Sequence, residues 1–282
     1  EGHAVIDHHT YFIASDGDLM EGVSHEAAAL AGHLRLGKLI GFYDDNRITI
    51  EGETSLATST DAVQRFEAYG WHVQRVSDGT DVEAIDRAIT LAKDMTSRPS
   101  LIVIRTHIAH GSPNKQDTAE AHGAPLGEKE IELTKENLDW PSLQPFHVPE
   151  EALAEWRKRG EGGGALQREW EQRFDRYALA HPDAAPELER RVSRVLPPDW
   201  EAALPTFTAA NGTVATRDAS ATVLNALAPS LPELMGGAAD LAPSTKTLIK
   251  ASDDFAAVPY SERNMHFGIR EHAMGATLNG MA

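Results

Sequence analysis

The sequence predicts an α/β fold in two domains, each organised around a parallel sheet. Three observations carry that prediction. Short apolar runs of strand type, such as Tyr11-Phe12-Ile13-Ala14 and Leu101-Ile102-Val103-Ile104, alternate with stretches of helical periodicity. The second of these runs is continuously apolar, as strands buried on both faces are. Several runs stop at clusters of Asp, Asn, Ser or Gly, the residues that turn a chain.

The organising unit is residues 15–50. The strand at 11–14 is stopped by Ser15-Asp16-Gly17-Asp18. Val23, Ala27, Leu30, Ala31 and Leu34 then recur at helical spacing, with Ser24 as the expected N-cap and Gly37 as the stop. Residues 39–43 form a second strand, stopped by Asp44-Asp45-Asn46. A helix is expected over 61–69, capped by Thr60 or Asp61, then a strand over 71–76. Val82, Ile85, Ala88, Ile89 and Ala92 mark the next helix, and Pro99 breaks it ahead of the strand at 101–104.

From Glu130 to Leu196 the chain becomes charged and helical. Trp156, Trp170, Phe174 and Tyr177 are expected to pack, and Arg157, Lys158 and Arg159 to form a solvated face. Gly160 to Gly164 reads as a break between helices; no strand feeds it, so it is not a phosphate loop. Residues 196–207 read as a linker that divides the chain into domains at 1–195 and 208–282. The second domain opens with a helix over 216–227. A strand over 234–238 delivers Asp240, another follows at 265–267, and a helix is expected from Ala273.

Composition narrows the function. The 282 residues allow one large or two ordinary domains, and 41% hydrophobic content argues against disorder. No apolar run reaches the ~18 residues of a membrane span. A formal charge of −17 disfavours nucleic acid as a partner, and a phosphorylated ligand must be captured by a local basic cluster. With 0 cysteines, disulfide and thiolate chemistry are excluded. The chain opens without Met and stops in what reads as mid-helix at Met281-Ala282, so it is expected to be a piece of a longer polypeptide.

If residues 15–50 form a right-handed crossover, the two strands are parallel and their carboxyl ends share one edge of the sheet. Asp16 and Asn46 then lie together where open α/β sheets bind ligands. A carboxylate and a carboxamide oxygen suit Mg²⁺ or Ca²⁺. Both are equally common turn residues after strands, so spacing alone leaves the two readings open. His107, His110 and His122 fall in a glycine- and proline-broken loop on the same edge, as solvated residues, ligands or proton-transfer groups.

The motifs SDGDLMEGVSHEA and YDDNRITIEG, with HGSPNK, HGAPLG and FGIREHAMGA further on, resemble the transketolases, thiamine diphosphate-dependent enzymes. The resemblance runs from Ser15 to Gly275. It implies the parallel-sheet thiamine diphosphate-binding fold, with the later part of a diphosphate-binding domain, a linker and the start of a pyrimidine-binding domain, both domains incomplete. It implies that Asp16, Asn46 and the carbonyl of Ile48 hold Mg²⁺ (or Ca²⁺) on the cofactor's diphosphate, with Gly17 beside it. His122 matches a histidine that touches cofactor and donor sugar, whereas His110 stands where the family more often has an aromatic residue and is assigned no role. Glu271 matches the catalytic glutamate that bonds the aminopyrimidine, and should have its pKa raised by burial or by the cofactor. Glu21 and Glu26 match acids at the subunit interface that link two cofactor sites, and Asp240 an acid near the cofactor. Arg217 and Ser244 match residues that bind the sugar phosphate.

The implied activity is transfer of a two-carbon ketol unit between sugar phosphates through a cofactor adduct, in the pentose phosphate pathway. A cytoplasmic homodimer is expected, with the cofactor at the subunit interface and no nucleic-acid or membrane partner. Dihydroxyacetone synthase, another two-carbon transferase of this cofactor, and a non-catalytic relative are the alternatives. Ser15, Asp18 and Ala242 stand where the family more often has Gly, Cys and Thr, and none removes a ligand. The segment alone is not expected to turn over.

Overall fold

The structure, a computed structural model, describes residues 4–282, with the side chain of Asn211 left outside the description. The chain divides into two compact units, residues 5–173 and 174–282.

In the first unit β1 (Thr10–Ser15) leads through α1 (Asp16–Met20) and α2 (Gly22–His33) to β2 (Leu39–Asp45). A small hairpin of β3 (Ile48–Thr49) and β4 (Gly52–Glu53) precedes α3 (Ala62–Ala68), β5 (His72–Val76), α4 (Val82–Asp94) and β6 (Ser100–Arg105). Then come α5 (Ala119–Gly123), α6 (Glu128–Asn137) and the long α7 (Glu150–Ala180), whose residues from Phe174 onward count with the second unit. The central sheet has the order β1-β2-β6-β5, with every pair parallel.

That order determines which face each helix covers. From β1 to β2 to β5 the chain steps one way across the sheet, and from β5 to β6 it steps back. Right-handed crossovers then put α2 and α3 on one face and α4 on the other. The side chains agree. Ala28, Ala31, Val63 and Phe66 of α2 and α3 pack with Ala14, Tyr43, Leu101 and Val103. Ala88 and Ala92 of α4 pack with Ile40, Val76 and Ile102. Along β6, successive residues therefore alternate between two cores, which is why this strand is apolar throughout. Trp71 ties the first face together by donating its Nε1–H to the Ala28 carbonyl at 2.8 Å.

Several local expectations change. Asp16 to Asp18 do not merely stop β1; they open α1, with the Ser15 N–H and hydroxyl both donating to Asp18 Oδ2. Ser24 is not the cap of α2, which begins at Gly22 after Glu21; its hydroxyl instead donates to the Asp18 carbonyl and joins the two helices. Gly37 is not the stop either, because α2 ends at His33 and Arg35 takes the left-handed turn at φ 52°. Gly37 is needed for close approach: a Cβ there would lie 1.9 Å from the Thr96 carbonyl oxygen. β2 continues through Asp44 and Asp45, which pair with Ile104 and Arg105.

Gly160 to Gly164 lies inside an unbroken α7. Glycine costs a helix only about 1 kcal/mol per residue, and the flanking turns carry pairs such as Arg159–Glu155 at 2.8 Å and Arg173–Glu169 at 3.4 Å. Trp156 is not a packing residue; it is 76% exposed. Trp170 is also exposed and donates its Nε1–H to the Val5 carbonyl at 2.8 Å. Phe174 and Tyr177 are half-buried beside each other.

The second unit contains α8 (Ala184–Val192), α9 (Thr216–Leu227), β7 (Gly236–Ala238), α10 (Ala242–Thr245), β8 (Asn264–His266) and α11 (Glu271–Met281). β7 and β8 pair in parallel. A Cβ on Gly237 would sit 1.7 Å from the Met265 carbonyl oxygen, so this approach requires glycine.

Candidate functional site

The register of the first unit closes the sequence gap between Asp16 and Asn46. Ser15 pairs with Asp44, so the chain leaves β1 and β2 side by side. Asp16 is the first residue of α1 and is only 6% exposed. Its Oδ1 accepts from the Tyr43 hydroxyl at 2.6 Å and its Oδ2 from the Arg47 N–H at 3.0 Å. Arg47 reaches it because it turns with φ 65°. Asn46 is 9% exposed. Its Oδ1 accepts from the Ile48 N–H at 2.9 Å, and its Nδ2 donates to Asp44 Oδ2 at 3.2 Å. The other Asp44 oxygen accepts from the Thr106 hydroxyl.

This donor set fits a hard divalent ion. Asp16 is a buried carboxylate whose hydrogen-bond donors are a phenol and an amide, and among the described residues no cationic side chain forms an ion pair with it. A buried charge compensated only by neutral donors costs several kcal/mol, and each carboxylate oxygen retains a lone pair. Among the described residues no group of three or more His, Asp or Glu gathers to hold a metal. The oxygens that could hold an ion here are mixed: the Asp16 carboxylate, the Asn46 carboxamide and a backbone carbonyl. Burial, and then the hydrogen bond to Asp16, push the Tyr43 phenol well above its ordinary range, so it stays a donor.

Two cavities open at this edge. One, of about 320 Å³, is lined by Asp16, Tyr43, Asp45 and Arg47. The other, of about 360 Å³, is lined by Asn46, Arg47, Ile48, Arg105 and Asp117. Both share Arg47, Thr54 and Ser55 as walls. A Cβ on Gly17 would meet nothing within 4 Å, so open space adjoins the start of α1.

The histidine loop is built rather than loose. Buried Glu130 accepts from the Ser112 hydroxyl and, at 2.9 Å each, from the Asn114 N–H and Nδ2. Those bonds, Ser112 first, hold its carboxyl below the usual range. Asn137 Nδ2 donates to the Gly111 carbonyl, and the Gly111 N–H to Gln116 Oε1, at 2.9 Å each. His107 Nδ1 contacts Asp117 Oδ2 at 2.7 Å. His122 lies in the last turn of the short helix α5, which packs beside β3 and hence beside Ile48; its side chain is exposed. His110 is exposed. Glu21 is exposed at the junction of α1 and α2, and Glu26 is half-buried on α2.

In the second unit, Asp240 follows β7 with φ 61° and Glu271 opens α11 after β8. Because β7 and β8 are parallel, both acids leave the same edge. Both are exposed on this chain, so the expected burial of Glu271 is not found within it. Arg217 lies in the first turn of α9 and Ser244 on α10. An ion pair between Asp218 and Lys246 links the neighbours of these two residues, and both residues are exposed. The sequence reading missed Tyr43, Asp44, Thr106 and the Arg47 amide. Tyr43, Asp44 and Arg47 lie within the YDDNRITIEG motif but read as core or turn residues, and Thr106 carries no local signal.

A parallel α/β sheet that gathers hard oxygen donors at its carboxyl edge defines the class of protein. Comparisons with known proteins sharpen it. Residues 1–197 match the family described as transketolase, thiamine diphosphate binding domain, and residues 212–282 match transketolase, pyrimidine binding domain. A transketolase of Geobacillus stearothermophilus is 48% identical over 100% of this chain and 42% of its own length. One of Nostoc is 50% identical over 99% and 42%. A solved transketolase of Pichia stipitis in complex with sedoheptulose 7-phosphate superposes with a TM-score of 0.95 at 42% identity, covering 99% of this chain and 42% of that one. The Leishmania mexicana enzyme gives 0.94 at 41% identity, with the same coverages. The chain thus spans about two-fifths of the length of such relatives. It belongs to the transketolase family.

Proposed function

We propose that the protein is a thiamine diphosphate-dependent transketolase that moves a two-carbon ketol unit from a ketose phosphate to an aldose phosphate. The observation that carries this reading is the juxtaposition of buried Asp16 with Asn46 at the carboxyl edge of the sheet. Asp16, Asn46 and the Ile48 carbonyl would hold Mg²⁺ (or Ca²⁺), which would neutralise the charge of a diphosphate bound beside Gly17. The cofactor, when bound, supplies the nucleophilic carbon and the electron sink for carbon–carbon cleavage.

The chain's own residues do the rest. Glu271 exchanges a hydrogen bond with the aminopyrimidine, and His122 holds cofactor and donor sugar. Arg217 and Ser244 capture the sugar phosphate, a guanidinium and a hydroxyl being suited to a dianion. This local capture matters in a chain whose formal charge is −17. Asp240, Glu21 and Glu26 serve the cofactor at the interface of a homodimer, in which one subunit holds the diphosphate and the other the pyrimidine. We divide the chain into the two domains at 1–195 and 208–282, joined by the linker at 196–207. We place the enzyme in the cytoplasm and in the pentose phosphate pathway. Among the described residues no helix is long and apolar enough to cross a membrane.

Native mass spectrometry of the protein as its gene encodes it, with and without thiamine diphosphate and Mg²⁺, tests the reading. A dimer that gains cofactor mass and converts xylulose 5-phosphate with ribose 5-phosphate supports it. A protein that takes up no cofactor refutes it.

A further inference from the structure

The ion site contains more design than its ligands. Asp16 follows β1 and Asn46 follows β2 at the same carboxyl edge, and each is gripped by a different residue of one short stretch. Tyr43 and Asp44 are consecutive in β2, so they project to opposite faces of the sheet. Tyr43 enters the core beneath α2 and α3 and is 8% exposed. It shares that core with Ala14 and Val103, its register partners on β1 and β6, and its hydroxyl donates to Asp16 Oδ1 at 2.6 Å. Charge-assisted bonds of that length are strongly directional.

Asp44 controls the second ligand. By accepting from Asn46 Nδ2 it sets which way the carboxamide faces, with the nitrogen turned to Asp44 and the oxygen toward the Ile48 N–H. A flipped carboxamide would present two N–H hydrogens to a cation. Asp44 is itself anchored by the Thr106 hydroxyl just beyond β6, so the orientation is tied to the central sheet.

We infer that Tyr43 and Asp44 are positioning residues that hold Asp16 and Asn46 in the orientation an ion requires. The inference rests on the reading of Asp16 and Asn46 as ion ligands. It distinguishes the hydroxyl of Tyr43 from a buried polar group that has merely found a partner.

Mg²⁺ and Ca²⁺ separate the two roles. Mg²⁺ demands near-ideal octahedral geometry, whereas Ca²⁺ accepts irregular sites. Outer-shell partners typically account for roughly 10–100-fold in metal affinity. Thiamine diphosphate binding is titrated by calorimetry at fixed Mg²⁺ or Ca²⁺, on the protein as its gene encodes it, alongside melting temperatures without ions. Tyr43→Phe keeps the ring and removes only the hydroxyl. It is expected to weaken Mg²⁺-supported binding by roughly 10–100-fold and Ca²⁺-supported binding by clearly less. Asp44→Ala is read in the same way should the first variant fold poorly. A lowered melting temperature with unchanged affinities, or equal losses with both ions, overturns the positioning role. A wild-type protein that binds cofactor equally well without divalent ion overturns the ion site itself.

Discussion

Replacing Asp16 with Asn should move stability and ion binding in opposite directions. The carboxylate is buried, and it holds the Tyr43 hydroxyl and the Arg47 N–H. An asparagine of the same shape can keep both contacts. Its Oδ1 accepts from the Arg47 amide, while its Nδ2 donates to the Tyr43 oxygen, which both donates and accepts. Two charge-assisted bonds of about 1.5–3 kcal/mol become two neutral ones of about 0.5–1.5, a loss of about 2–3 kcal/mol in all. Against this, the variant no longer buries a charge compensated only by neutral donors, a penalty of several kcal/mol, in a cavity that also contains Asp45. The balance favours Asp16→Asn by about 1–2 kcal/mol in ion-free protein. Saturating ligand reverses the order, because wild type at a hundredfold excess over Kd gains about 2.7 kcal/mol that the variant forgoes. Urea unfolding with EDTA, then with Mg²⁺ and thiamine diphosphate, should give curves whose order inverts. A variant clearly less stable than wild type in EDTA would show that hydrogen bonding outweighs burial at Asp16. Equal stabilisation of both proteins by Mg²⁺ and cofactor would remove Asp16 from the ion site.

Two further outcomes follow from the packing. Burial first, and then Arg65 for His25 and Arg98 for His72, hold both imidazoles below their ordinary range, so the folded protein keeps them neutral. Arg65 Nη1 donates to His25 Nε2, which places the ring proton on Nδ1 facing the Tyr69 oxygen. The unfolded chain takes up these protons near pH ~6.5. Their stabilisation is therefore complete above that pH and is lost as pH falls through the folded values. Urea midpoints should drop between pH 7.5 and 5, and the double variant His25→Gln/His72→Gln should flatten the slope; an unaltered slope refutes the account. At the second unit, Gly237→Ala drives a Cβ into the Met265 carbonyl and should cost about 3 kcal/mol. Gly236→Ala, where a Cβ meets nothing within 4 Å, serves as the control. Equal melting temperatures would contradict the close approach of β7 and β8.

The fold was legible where burial imposes a pattern. The run Leu101 to Ile104 announced a strand with a core on each face, and both cores are present. Thr60 or Asp61 was expected to cap α3, and it is Asp61 that accepts from the Val63 and Gln64 amides. Legibility failed where tertiary contact overrides local preference. Ser24 has the chemistry of an N-cap, yet its hydroxyl bonds to a carbonyl of the preceding helix, a partner that the sequence does not reveal. Gly160 to Gly164 failed differently. Helix propensity is a weak prior that a long charged helix absorbs over several residues.

At the candidate site, the juxtaposition of Asp16 and Asn46 was legible and its support was not. Asp16 and Asn46 become neighbours through strand register, and register follows from hydrophobic pattern and crossover hand. The same rule places Asp240 and Glu271 on one edge of the β7–β8 pair. In both units, parallel strands carry polar side chains that are distant in sequence to a shared edge. Orientation obeys a different rule. Whether Asn46 presents oxygen or nitrogen depends on Asp44 and Thr106, and Thr106 lies sixty residues further along the chain. No pattern of polarity encodes that dependence, because a strand tyrosine and a strand-end aspartate look the same whether or not they hold a ligand. The identity of the proposed ligands is thus a local property of the sequence, whereas their aim is a property of the assembled sheet.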